Sequence, residues 1–128
     1  DIRATLLEKL LGNIAFAPIA CLTGCTIGDI LRDEELRQVA EQLMGEAISV
    51  AEAFGTKLGV GAKERLSSAK ATAHKPSMLQ DLERGRPMEI DSIVAVPQEL
   101  GRMANVPTPH LDQALALLKQ RARLAGTY

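Results

Sequence analysis

The sequence predicts an all-α fold: a single helical domain of about six or seven helices over residues 1–128. Three observations predict it. Apolar residues recur at helical spacing along most of the chain, and no segment alternates apolar and polar with period two. Hydrophobic residues make up 46% of the chain but aromatics only 2%, so the core must be built from Leu, Ala, Ile and Val, a mixture that suits helices packed closely through small residues. The 128 residues are enough for one domain with a real core and too few for two ordinary ones.

The first helix is expected over residues 2–22, where Ile2, Leu6, Leu7, Leu10, Leu11 and Ile14 form a broad apolar stripe. Pro18 lies inside it. It has no N–H for the carbonyl of Ile14, so a kink near Ala17, or two helices meeting there, is expected. "TGCTIGD" reads as a turn followed by a short helical piece, Ile27 to Leu31. A long helix then runs from Glu34 to about Leu58, with Asp33 as N-cap and Glu34 and Glu35 at the positive end of its dipole. Its inward face should hold Leu36, Val39, Ala40, Leu43, Ala47, Val50, Ala51, Phe54 and Leu58, and "GVG" at 59–61 should end it. Residues 62–74 look like a weaker helix. Met78 to Arg84 form a short one that stops at Gly85. Glu89 to Asn105 reads as helical, bent by Pro97. Thr108 can cap the last helix and Pro109 suits its first position. That helix reaches about Ala125, with Leu111, Leu115, Leu118 and Ala122 facing inward. No internal repeat is present.

Composition narrows the function classes. The net charge is −1 with acids and bases interspersed, which argues against an electrostatic nucleic-acid binder. Cys21 and Cys25 are the only cysteines; two thiols make no disulfide framework, so a reducing compartment, the cytoplasm, is expected. A metal site would need more ligands, and His74 and His110 lie far off in sequence, so no metal is expected. The longest uncharged apolar run, Ile14 to Leu22, is nine residues, short of the roughly 18 that signal a membrane span. The chain opens without methionine and enters a helical pattern at once, so it reads as a piece of a longer protein. "GVGA" at 59–62 lacks the strand and the third glycine of a nucleotide loop. The charges of "RDEELRQ" and "KQRAR" read as solvated helix faces, and no elbow motif supports a serine hydrolase.

Chemistry can sit in two stretches. In "EKLLGNIAFAPIACL", residues 8–22, Lys9 and Asn13 border the apolar stripe, about 40° apart on a helical wheel. Glu8 points about 100° away from Lys9 on the same wheel and is no obvious partner for it. Lys9 either snorkels its amine to water or stands at the lip of a cleft as a proton donor. In "HKPSMLQDLERGRPMEID", residues 74–91, Ser77 and Gln80 match a capping box; the same helix start could hold a carboxylate. Glu89, just after "GRP", is either a surface acid favoured by the helix dipole or part of a site.

Taken together, "KLLGNIAFAP" (9–18) and "HKPSMLQDLERGRPMEID" (74–91) resemble the C-terminal domain of the ketopantoate reductase family, NADPH-dependent 2-dehydropantoate 2-reductases. The likeness extends over nearly the whole chain and includes "ELGRMANVPTP" (99–109). It implies an N-terminal Rossmann domain, absent from this chain, that binds NADPH and faces the helical domain across an active-site cleft. It implies that Lys9 is the catalytic proton donor, that Asn13 and Ser77 bind substrate, and that Glu89 lies near both substrate and nicotinamide ribose, a catalytic and cofactor-binding position. The product would be pantoate, on the route to pantothenate and coenzyme A, and a homodimer is compatible with the family. Two positions depart from the pattern: Ala17 and Ile27 stand where asparagines are expected, which points to a less hydroxylated 2-keto acid. A helical association module without catalysis is the alternative from another class. The piece alone, lacking the cofactor domain, is expected to be inactive.

Overall fold

The computed structural model describes residues 2–128, apart from the side chains of Arg3 and Ala4. Among the described residues there are seven α-helices, one π-helical turn and no strand. The helices are α1 Ile2–Thr23, α2 Ile27–Arg32, α3 Glu34–Ala53, α4 Ala62–Ser68, α5 Ser77–Glu83, α6 Val96–Met103 and α7 Pro109–Ala125, with the π turn at Asp91–Ala95. The predicted fold class holds.

The second half of α1 is the centre of the domain. From Ile14 to Cys21 every residue is buried. α1 packs against α3, α7, α5, α2 and the π turn. Two helices do not meet at Pro18: α1 continues through it as one helix. Pro18 is itself fully buried. Burial of the ring contributes against the cost of about 3 kcal/mol that a proline inside a helix carries. Thr5–Thr23 is long and apolar enough by length and composition to cross a membrane, more than the nine-residue run suggested, yet half of it is buried inside this domain. Core packing accounts for its apolar character.

α2 starts with a complete capping box, Thr26 Oγ1 accepting from the Asp29 N–H and Asp29 Oδ2 accepting from the Thr26 N–H. Asp33 caps α3 as expected, accepting from the Leu36 N–H at 2.9 Å. α3 ends at Ala53 rather than near Leu58, because Gly55 turns left-handed (φ 90°) and Thr56 donates back to the Ala51 carbonyl. Phe54 therefore leaves the core and is 52% exposed; Val39 is also exposed.

The expected helix at 89–105 is split. Pro97 has no N–H to close an α-turn onto Ile93, and the wider π turn at Asp91–Ala95 absorbs the mismatch ahead of α6. At α7 the first free N–H groups are not taken by Thr108, whose hydroxyl donates to Asp112 instead. They are taken by Glu46 of α3, which accepts from the N–H of His110 at 2.9 Å and of Leu111 at 2.8 Å. Leu111, Leu115, Leu118 and Ala122 all face the core, as their spacing predicted.

Candidate functional site

α1 carries Lys9 and Asn13 on one face of its first half. Lys9 is exposed and Asn13 half-buried. Ile2 and Leu6, which share that face by helical spacing, are 78% and 62% exposed. Glu8 points elsewhere and is held by the Arg65 guanidinium of α4. Among the described residues nothing pairs with the Lys9 ammonium or the Asn13 amide. Farther along, Ala17 is buried in the core and Ile27 is half-buried against it, so neither offers a hydrogen bond where an asparagine is expected.

The capping box expected at Ser77 does not form. Pro76 occupies the cap position and Ser77 is already the first helical residue. Gln80 Nε2 donates to the Lys75 carbonyl at 2.8 Å, bypassing the serine. The exposed Ser77 hydroxyl is left without a partner among the described residues. Glu89 is pushed outward for a simple reason: its neighbours Met88 and Ile90 are both buried. Its backbone carbonyl accepts from the Ile93 N–H, while its carboxylate stays exposed and, among the described residues, unpaired.

Four polar groups are thus left free, Lys9 and Asn13 on α1, Ser77 on α5 and Glu89 in the loop just before the π turn, and α1 is the common neighbour of α5 and the π turn. The four side chains make no hydrogen bond to one another. None of them lines the apolar grooves beside α1, one between α1, α3 and α7 and one between α1, α3 and α6. Lys9 is exposed on α1.

The Cys21 thiol is not a candidate. Cys21 is buried, and burial pushes its thiol up to about 12, which keeps it protonated and inert. No group of three or more His, Cys, Asp or Glu among the described residues could hold a metal ion. The remaining perturbed groups are structural. The Thr26 cap lowers the Asp29 carboxyl, and donation to Asp91 raises the Tyr128 phenol.

Comparison with known proteins follows the same lines. Residues 1–122 match the family described as "Ketopantoate reductase PanE/ApbA C terminal". The whole chain is 46% identical to a 2-dehydropantoate 2-reductase of Mesorhizobium japonicum, covering 40% of that protein. A solved 2-dehydropantoate 2-reductase from Methylococcus capsulatus matches at a TM-score of 0.85 and 32% identity, over 100% of this chain and 45% of that one. A ketopantoate reductase from Ralstonia eutropha matches at 0.87 and 26% identity, over 98% and 43%. The chain spans about two fifths of the length of these relatives. It belongs to the ketopantoate reductase C-terminal family.

Proposed function

We propose that this member of the family is the substrate-binding and proton-donating half of an NADPH-dependent 2-dehydropantoate 2-reductase, working with an N-terminal Rossmann domain outside these 128 residues. One observation carries the reading: the outer face of α1, where an unpaired ammonium and an unpaired amide, four residues apart, stand beside exposed Ile2 and Leu6. Bare apolar side chains next to free polar groups are what a surface offers to a second domain.

Reducing a ketone leaves negative charge on the carbonyl oxygen. The Lys9 ammonium would stabilise that charge and deliver a proton to the oxygen. Asn13, one helical turn on, is its neighbour on the surface and would orient the keto acid. The Ser77 hydroxyl would donate to the substrate. A bound NADPH supplies the hydride. Among the described residues, the free and exposed carboxylate of Glu89 suits the hydroxyls of a ribose or of the substrate. The rest of the cofactor site falls to the Rossmann domain. Cytoplasmic location accompanies the reading, and a homodimer fits it. Ala17 and Ile27 favour a second reading of the substrate, a 2-keto acid with fewer hydroxyls than ketopantoate, because neither side chain can satisfy one.

Replacing Lys9 with Ala in the intact protein tests this. Turnover of ketopantoate with NADPH should fall by about 10²-fold or more. The melting temperature should hold, since Lys9 is exposed and unpaired. Unchanged turnover removes Lys9 from the mechanism.

A further inference from the structure

The face between α6 and α7 has an arrangement of charge that the reductase reading does not use. A groove of about 360 Å³ runs there, lined by Gln98, Arg102, Asp112, Lys119 and Arg123 among others. Lys119 and Arg123 stand four residues apart on α7, where like charges repel. Arg102 faces them from α6. Four basic residues of the domain are paired with acids, Arg32 with Asp29, Arg65 with Glu8, Lys75 with Glu83 and Arg86 with Asp81; several others are single exposed cations, and what sets the α6–α7 face apart is that three cations line one groove. These three have no ion-pair partner among the described residues. The groove's one acid is already engaged, Asp112 Oδ1 accepting from Gln98 Nε2 at 2.6 Å and from the Thr108 hydroxyl at 3.1 Å. Arg123 is also held from behind. Its guanidinium stacks on the Tyr128 ring, 5.3 Å from the centroid, and the Tyr128 hydroxyl donates to Asp91 at 2.8 Å. In a chain of net charge −1, this collection of cations is a local feature and not a consequence of overall composition.

We infer that the α6–α7 groove binds a small anion carrying phosphoryl groups, apart from the proposed reductase site, with which it shares none of Lys9, Asn13, Ser77 or Glu89. Two guanidinium forks and an ammonium converging on one groove match the oxygens of a phosphate ester or diphosphate. The volume suits a ligand of small-molecule size. Three cations face the single negative charge of Asp112 in the groove, so a dianion can balance the excess positive charge there.

Calorimetric titration with pyrophosphate, at constant ionic strength, tests the site. The comparison is between the wild-type protein and the R102Q/K119Q variant, so anion binding elsewhere cancels. Pyrophosphate should bind saturably, and the double variant should lose at least about tenfold in affinity. R37Q, which removes an exposed arginine of α3 away from the groove, should bind like wild type. Should the double variant fail to fold, R123Q read alone must show the weakening. The inference is overturned if no saturable heat appears up to about 10 mM, if the groove variants bind as wild type does, or if R37Q weakens binding equally. Tighter binding of a short DNA duplex than of pyrophosphate would likewise overturn it, as the mark of a general polyanion surface.

Discussion

Glu46→Ala probes the longest-range polar contact at a helix end in this domain. The Glu46 side chain is only 12% exposed. One oxygen accepts the Leu111 N–H at 2.8 Å; the other accepts the His110 N–H at 2.9 Å and lies 2.7 Å from His110 Nδ1. Truncation to Ala removes the acceptor for two helix-start donors at once. Leu111 is fully buried, so its N–H loses its partner at a cost of about 1–3 kcal/mol. His110 has a half-buried side chain and its N–H can be rehydrated, so the loss there is that of an ordinary cap, about 1 kcal/mol. The sum is about 2–4 kcal/mol, or roughly 8–15 °C in Tm for a domain of this size. Urea and thermal denaturation followed by far-ultraviolet circular dichroism measure it. A loss below about 0.5 kcal/mol, the range of an ordinary surface substitution, would refute the claim that Glu46 fixes the start of α7. Glu46→Gln retains one acceptor oxygen and should lie between the two.

Gly101→Ala would place a Cβ 2.9 Å from Thr108 Cγ2 and 3.0 Å from the Val106 carbonyl oxygen; the α6–α7 connection must then shift, at about 1–3 kcal/mol by urea denaturation. A variant as stable as the wild type would mean that the contact relaxes freely. For the thiols, a folded-state value near 12 for Cys21 stands above the ordinary 9.0. The stability from keeping it neutral is therefore fully present below about pH 9 and is lost as pH rises toward 12. Labelling with a thiol reagent at neutral pH should modify Cys25 in the native state and Cys21 only after unfolding; equal rates would contradict the burial. Ser77→Ala should leave stability within about 0.5 kcal/mol, because its hydroxyl bonds nothing within the domain. On the proposed function, in the intact protein it should raise KM for the keto acid by about tenfold, the loss of one hydrogen bond to a charged group. An unstable variant would restore the capping role that the geometry denies it.

The sequence by itself determined what depends on neighbours along the chain. The capped start of α3 at Asp33, the stop of α5 at Gly85, the Pro109 start of α7 and the inward set Leu111, Leu115, Leu118 and Ala122 all follow from spacing, caps and φ constraints within a few residues. So does the adjacency of Lys9 and Asn13, one turn apart on α1. The motifs flagged Ser77 and Glu89 as well, but spacing could not say that Pro76 takes the cap and frees the serine, or that buried Met88 and Ile90 turn the acid outward. Tertiary structure alone decided the rest. It carried α1 unbroken through Pro18 by burying the ring, supplied the α7 cap from Glu46 sixty-four residues away, and left Ile2 and Leu6 bare beside Lys9. The physical reason is one of range. Helix caps and periodicity act over a single turn, whereas burial and the pairing of free N–H groups are settled by whichever distant segment the packed core brings against them.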